Sequence, residues 1–302
     1  MVVAAVLCSA APAQKPTQYP QYDPYSACAQ KYLNDTARVG SFTFRTYRTQ
    51  EGGCLRVVRG GKEILLNPID NNGYYTLGQR GDMAHGVPAI ANGTDITGRG
   101  RPDMIVTFYT GGLHCCTVDQ VYELEPKFKL LAALDAEHGS LAHFALIGHE
   151  YYFMAADWTF AYWRTDFADS PAPGVILRFV DDGKGGSYHL ALDKMQQPDP
   201  TPEEWRKDLS EARGAFTSKN PFGHGIGSEL WGNMLELIYT GRSPLAWKLL
   251  DETWPATKPG KGAFLGDFCS QLKTSPYWAD LEPTLHDAPP ACLSAKPKNT
   301  GM

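Results

Sequence analysis

The sequence lacks the features that mark several large classes of protein. Acidic residues outnumber basic ones, 33 to 28, and the formal net charge is −5, whereas nucleic-acid-binding domains are usually basic. After the N-terminus there is no apolar run long enough to cross a membrane. Phosphate-binding and dinucleotide-binding glycine motifs, a His-Glu-x-x-His helix and a Gly-x-Ser-x-Gly turn are all missing. We therefore expect no nucleic-acid partner, no transmembrane segment after the N-terminus and no cofactor.

The N-terminus has the composition of an export signal. Residues 1–13 are mostly apolar and end in Ala11-Pro12-Ala13, and signal peptidase requires small residues at its cleavage site. The positively charged segment that usually precedes such a stretch is missing. We predict cleavage after Ala13 and a periplasmic or secreted protein. The alternative is an apolar N-terminus on a cytosolic protein.

The cysteine content agrees with export. Of seven cysteines, Cys8 falls within the predicted signal, so six remain. An even number of cysteines in an oxidising compartment indicates disulfides. We predict one bridge between Cys28 and Cys54, which ties the N-terminal segment to the first sheet. A second, between Cys269 and Cys292, holds the proline-rich tail.

The two remaining cysteines, Cys115 and Cys116, are adjacent and follow Gly111-Gly112 and His114. A bridge between neighbours is strained, because their Cα atoms lie about 3.8 Å apart and disulfides usually span about 4.4–6.8 Å. We favour a Cys115–Cys116 bridge that stiffens a binding loop. Pairing with distant cysteines, a redox-active dithiol activated by His114, and a metal site made by His114 and the thiolates stay open as alternatives.

Short strand patterns separated by turn signals dominate the chain up to about residue 200. Gly60-Gly61, between two apolar segments, is typical of a tight hairpin turn. We predict a mainly antiparallel β domain over residues 14–200, propeller-like or a sandwich. The predicted strands cover residues 42–47, 55–58, 63–66, 104–108, 118–124, 129–133, 144–147, 151–155, 175–180 and 188–191.

The pattern becomes helical near residue 200. Thr201-Pro-Glu-Glu204 is a capping box with proline at the first helical position. Ser228 and Ser243-Pro244 begin two further helices with apolar stripes. We predict a small helical bundle over residues 201–282 and a Pro/Lys-rich tail over residues 283–302. The fold class is therefore α+β.

Asp95 and Asp103 stand at the first and ninth positions of a turn with the spacing of a calcium-binding loop. The third position is Thr97, a weak ligand, and the fifth is Arg99, which cannot bind a cation. Calcium is therefore expected to bind poorly. We predict instead that the guanidinium of Arg99 takes the place of the metal and bridges Asp95 and Asp103. A solvated turn without an internal ion pair is the alternative.

This turn also carries a resemblance to a known family. The pattern Asp-x-x-Gly-x-Gly-x-Pro-Asp103, followed by an apolar strand, is similar to the FG-GAP/VCBS repeat of integrin-α-like propellers. The fuller run to Trp163 resembles a group of exported bacterial proteins that carry this repeat. The resemblance covers about residues 95–165. It implies strands of a propeller blade, and a role in binding or display rather than catalysis.

An aromatic run follows a predicted strand. If Asp157–Trp163 continued that strand, Trp158, Phe160 and Tyr162 would share one face and Trp163 would lie on the other. An exposed ladder of this kind could stack on sugars or peptides. Most aromatic strand faces are buried in a core, which is the alternative.

We therefore expect an exported, non-catalytic binding module of the bacterial cell envelope, with an unknown protein, peptide or polysaccharide as ligand. Functional residues cluster on loops held by a rigid scaffold, so the candidate binding residues are Gly111, Gly112, His114, Asp157, Trp158, Phe160, Tyr162 and Trp163. The alternative is an envelope enzyme. It would be a thiol redox protein using Cys115, Cys116 and His114, or a hydrolase, which needs only two carboxylates that the sequence does not identify.

Overall fold

The computed structural model describes residues 23–112, 116–138, 141–217 and 225–293. The predicted export signal, residues 1–13, lies outside these ranges, as do His114, Cys115 and residues 294–302 of the predicted tail. The described chain forms three four-stranded antiparallel sheets, followed by helices. This confirms the predicted α+β class.

Each sheet is a meander in which consecutive strands are neighbours. The first sheet consists of β1 (Leu33–Val39), β2 (Phe42–Arg48), β3 (Gly53–Arg59) and β4 (Lys62–Ile69). The second consists of β5 (Tyr74–Leu77), β6 (Asp103–Tyr109), β7 (Thr117–Glu123) and β8 (Lys129–Asp135). The third consists of β9 (His143–Ile147), β10 (Glu150–Ala156), β11 (Gly174–Val180) and β12 (Ser187–Leu190).

The second sheet lies between two apolar cores. Met104 and Val106 of β6 contribute to a core shared with the first sheet. Ile105 and Val121 contribute to a second core, shared with the third sheet and the helices. This division follows from the strand geometry, because successive side chains of a strand point to opposite faces. The three sheets are thus stacked in chain order.

The helices follow the third sheet. They are α1 (Leu192–Met195), α2 (Pro202–Gly214), α3 (Glu229–Tyr239), α4 (Ser243–Thr253), α5 (Lys261–Leu272) and α6 (Trp278–Leu281). Short 3-10 turns occur at Pro24–Cys28, Gln30–Tyr32, Met83–His85, Ala215–Thr217, Glu282–Thr284 and Pro290–Cys292. None of the described helices is both long enough and apolar enough to cross a membrane.

The start of α2 has the predicted capping box. The hydroxyl of Thr201 accepts the backbone N–H of Glu204 at 3.3 Å, and the Glu204 carboxylate accepts the N–H of Thr201 at 2.7 Å. Two backbone donors that no helical carbonyl can reach are thereby satisfied. Pro202 occupies the first turn, where its missing N–H costs nothing.

Two predicted disulfides are formed. Cys28–Cys54 joins the first 3-10 turn to β3, with a Cα–Cα separation of 5.2 Å. Cys269–Cys292 joins α5 to the last described 3-10 turn, with a Cα–Cα separation of 4.6 Å. Both separations lie in the usual range for disulfides. The Cys115–Cys116 bridge stays a prediction, because Cys115 lies outside the described residues.

Candidate functional site

The calcium-like turn between β5 and β6 is held by backbone donors. The Asp95 carboxylate accepts the N–H groups of Arg99 at 3.0 Å and Gly100 at 2.6 Å. Oδ2 of Asp103 accepts the N–H of Thr97 at 3.0 Å and its hydroxyl at 2.8 Å. The two carboxylates thus hold the turn together through hydrogen bonds from its own backbone.

The predicted Arg99 bridge between Asp95 and Asp103 is wrong. The Arg99 guanidinium forms its ion pair with Glu123, at the end of β7, and lies over the ring of Phe179, 5.1 Å from its centroid. Glu123 is only 2% exposed and also pairs with Arg101 at 2.9 Å. The reason is that the buried Glu123 carboxylate is balanced by basic side chains, whereas both aspartates accept hydrogen bonds from the backbone of the turn. Arg99 therefore joins the second sheet to the third.

The aromatic run does not continue β10, which ends at Ala156, so its aromatic side chains do not share one strand face. The Asp157 carboxylate accepts the N–H of Thr159 at 2.8 Å, and the N–H of residue 161 bonds to the carbonyl of Trp158 at 2.7 Å. These bonds turn the chain. Phe160 is buried, whereas Tyr162 is 56% exposed.

The other members of the run are divided between core and surface. Trp163 packs edge-on against Trp231 of α3, with ring centroids 5.2 Å apart. Trp158 stacks on Phe167, with centroids 5.5 Å apart and an interplanar angle of 15°. Asp157 is buried and accepts a hydrogen bond from Ser275 at 2.5 Å. Of this run, only Trp158 lines the groove described next.

A groove runs along the region where the three sheets approach one another. Its central compartment has a volume of about 390 Å³ and receives residues from every sheet. These include Asn34 and Asp35 of β1, Thr76 of β5, Thr107 of β6, Thr117 and Asp119 of β7, and His143 of β9. The loop after β5 adds Gln79, Arg80 and Asp82.

Two smaller compartments adjoin the central one. An outer compartment of about 190 Å³ shares Asp35, Gly78, Gln79 and Arg80 with it. An apolar compartment of about 310 Å³ shares Leu141 and Ala142 with it. The apolar compartment is lined further by Met154, Ala155, Ala156, His138 and Trp158. The combined size is that of a small-molecule or short-chain binding site.

Asp119 is the most unusual group in the groove. Its residue is only 6% exposed, and Thr107, its cross-strand neighbour on β6, donates a hydrogen bond of 2.5 Å to its Oδ1. Burial raises the pKa of Asp119 to about 6, and the bond from Thr107 opposes this shift. Among the described residues no other donor and no cation bonds to this carboxylate. Its Oδ2 is therefore left for a ligand or solvent.

Gln79 fixes the wall between the second and third sheets. Its amide nitrogen donates to the Phe144 carbonyl at 2.7 Å and to the Pro88 carbonyl at 2.8 Å. Its amide oxygen accepts the Phe144 N–H at 2.6 Å. Because β9 is an edge strand, this side chain pairs with it as a neighbouring strand would.

The exposed end of the central compartment carries paired charges. Arg80 forms an ion pair with Asp35 at 2.5 Å, and Asp82 bonds to His85 at 2.7 Å. The bond from His85 is the main cause that lowers the pKa of Asp82. His143 bonds to the Leu141 carbonyl at 2.7 Å, which orients its ring at the boundary with the apolar compartment.

The sequence interpretation did not identify this site. Neither His143 nor Asp119 was among the candidate residues. One signal was present, since Asp119 and Glu123 lie on the same strand face as the apolar Val121. Acidic residues in register with a core position indicate buried carboxylates, which need a partner or a function.

The remaining predicted residues lie elsewhere. Gly111 and Gly112 follow β6, and Gly111 has a φ of +90°. A Cβ there would lie 1.8 Å from the carbonyl oxygen of Asn71, so only glycine fits. The candidate role of His114, Cys115 and Cys116 stays a prediction, because His114 and Cys115 lie outside the described residues. Among the described residues there is no cluster of three or more acidic, histidine or cysteine side chains suited to a metal.

Comparison of the chain with models of protein families, with curated proteins and with solved structures gives no match.

Proposed function

We propose that this chain is an exported, non-catalytic binding module that holds a glycan of the cell envelope in the groove between its sheets. The observation that carries the proposal is Asp119, a buried carboxyl group that lines the groove and has, among the described residues, one hydrogen bond from Thr107 and no cation. Buried carboxylates normally have a cation or several donors, and the exceptions are concentrated at functional sites.

The chemistry of the lining supports a glycan. The central and outer compartments present hydroxyl and amide groups from Asn34, Thr36, Thr76, Asn92 and Thr117. Such groups both donate and accept hydrogen bonds, which suits the hydroxyls of a sugar. The apolar compartment presents the Trp158 ring, and aromatic rings pack against apolar faces.

The disulfides support export. Cys28–Cys54 and Cys269–Cys292 are structural bridges of a kind that persists in oxidising compartments. A periplasmic or secreted protein would meet envelope polysaccharides. The similarity of the Asp95–Asp103 turn to FG-GAP/VCBS repeats also favours binding.

The proposal is tested by calorimetric titration of the mature protein with a panel of short envelope-type oligosaccharides. We expect at least one to bind, and Asp119→Ala to weaken that binding by about tenfold or more, equivalent to about 1.4 kcal/mol. Asp199→Ala is the matched control, since Asp199 is exposed and away from the groove. Equal affinities for the parent and Asp119→Ala would contradict the proposal.

A hydrolase is the second candidate, and the pKa of Asp119 favours it. A carboxyl group with a pKa of about 6 can donate a proton near neutral pH, as general acids of glycosidases do. Asp35 and Asp82 line the same compartment and supply candidate second carboxylates. Mass spectrometry of the oligosaccharide after prolonged incubation separates the candidates. A binding module returns it intact, whereas a hydrolase shortens it and Asp119→Asn abolishes the shortening.

A further inference from the structure

We propose that the ligand of the groove is a linear chain of amino sugars, held with a free amine against Asp119 in the central compartment. This inference rests on the proposed glycan-binding function and names the class of glycan.

The arrangement of the compartments indicates a linear ligand. The central compartment shares residues with both of its neighbours, whereas the outer and apolar compartments share none with each other. The three volumes therefore follow one another, with Asp119 in the middle one. A chain of at least three small units would place its central unit against Asp119 and its end units in the flanking compartments.

The charges of the central compartment indicate an amine. Three aspartates line it, Asp35, Asp82 and Asp119, against a single arginine, Arg80. Arg80 is already paired with Asp35, and Asp82 has its bond from His85. Asp119 is left without a cation among the described residues. An ionised carboxylate that is buried and unpaired is costly, and a ligand ammonium group would offset that cost.

An acetylated amino sugar is not the preferred ligand of this compartment. An acetamido group is neutral and larger than an amine. It could donate one hydrogen bond to Asp119 but could not balance its charge. The two flanking compartments differ in the ligand groups that they can bind. The outer one is polar and includes Asn92, whereas the apolar one offers the Trp158 ring to the apolar face of a sugar.

The experiment compares two trisaccharides of the same length, triglucosamine and tri-N-acetylglucosamine, by calorimetric titration of the mature protein. We expect triglucosamine to bind about tenfold more tightly or better. Asp119→Asn, which keeps the size and the bond from Thr107, should remove this preference. Tri-N-acetylglucosamine binding as tightly as triglucosamine, and losing affinity in Asp119→Ala, would overturn the amine and leave glycan binding intact. Absence of binding by both would overturn the amino-sugar inference, whereas the glycan-binding proposal is contradicted only if the whole oligosaccharide panel also fails to bind.

A length series tests the linear arrangement. Affinity should rise from glucosamine to its trimer and then level off, and Trp158→Ala should remove one step of the rise. Tyr162→Ala is the matched aromatic control, because Tyr162 is exposed on the same loop and does not line the groove. Trilysine binding more tightly than triglucosamine would assign the groove to a cationic peptide and overturn the inference.

Discussion

The stability of the protein depends on pH through two buried aspartates, Asp103 and Asp119. Burial raises the pKa of Asp119 and that of Asp103 to about 6, from ordinary values near 3.8. Between these values each group binds more protons in the folded protein than in the unfolded chain. The free energy of unfolding therefore falls as the pH rises through this window. Above pH 6 the ionised carboxylates destabilise the folded state. Below pH 4 both groups are protonated, and this destabilisation disappears.

Replacing Asp119 by asparagine should remove its share of the pH dependence. The amide cannot ionise, and its oxygen can still accept a hydrogen bond from the hydroxyl of Thr107. Raising the pKa of Asp119 from 3.8 to about 6 on folding costs roughly 3 kcal/mol once the group is ionised, so the variant should be more stable than the parent by up to about that amount at pH 7.5. The difference should shrink towards pH 4. Urea unfolding across this range measures it, with Asp199→Asn as the control that stays level with the parent.

Arg99 and Arg101 bind the same carboxylate from different environments, so they form a natural pair of variants. The Arg99 side chain is 8% exposed and that of Arg101 is 45% exposed. Arg99→Met should cost about 3 kcal/mol, because it leaves Glu123 with partners at the surface only. Arg101→Met should cost less than about 1 kcal/mol. Denaturant unfolding tests both, and equal losses would show that burial of the pair is unimportant.

At the residue scale, the sequence predicted which side chains interact only where the two are close in the chain or joined by a disulfide. Two disulfide pairs were identified from spacing and context. The partner of Arg99 was not, since Glu123 lies on another strand and its burial depends on the packing of the second and third sheets. Asp119 was not identified for a similar reason. Strand alternation shows which residues share a face of the strand, but not that this face lines a groove between sheets.

At the scale of elements, the side chain of Gln79 makes the hydrogen bonds with β9 that a neighbouring strand would make. Gln79 satisfies both backbone groups of Phe144 on the edge of β9. Gln79→Leu should destabilise the protein by roughly 2 kcal/mol, because these groups lose their partners. It should also weaken the proposed glycan binding, since Gln79 lines two compartments. Gln50→Leu is the control, because Gln50 is exposed, and thermal unfolding together with titration checks both effects.

The capping box makes α2 sensitive to one hydroxyl. Thr201→Ala should lower the free energy of unfolding by about 1 kcal/mol, because the N–H of Glu204 loses its acceptor. Ser210→Ala, at an exposed position within the same helix, should be neutral or slightly stabilising. Chemical denaturation of both variants is the measurement. A loss in Ser210→Ala as large as in Thr201→Ala would contradict the cap.

Elements with strong local signals were predicted well, and those without them were missed. Ten strands follow apolar alternation, and the helices after residue 200 follow their apolar stripes. Of the predicted helix starts, Thr201 caps its helix with a side-chain hydrogen bond, whereas Ser228 does not and Ser243 lies inside α4. β1 is largely polar, with only Ala37 buried, and β5 has four residues. β1 and β5 are extended because they pair with β2 and β6, not because of a local sequence pattern. The sequence left open whether the aromatic run continues a strand; in the structure the Asp157 carboxylate accepts the N–H of Thr159 and turns the chain.

At the scale of the whole molecule, the third sheet and the helices share one apolar core. We expect native-state hydrogen exchange to show β10, β11, α3 and α4 opening as one unit, with similar free energies. The first sheet, whose core is separate, should open independently. Separate opening of β11 and α3 would contradict this prediction and support the boundary at residue 200 as a division between independent units.

The Arg99–Glu123 pair has a consequence for where the protein can operate. A turn stabilised by a dissolved ion depends on the supply of that ion, so its rigidity varies with the hardness of the surrounding water and with chelators. Here the positive charge is part of the polypeptide and is synthesised in fixed proportion to the carboxylate it neutralises. The position of the Arg99 side chain, which also lies over Phe179 of the third sheet, is therefore independent of the supply of dissolved cations.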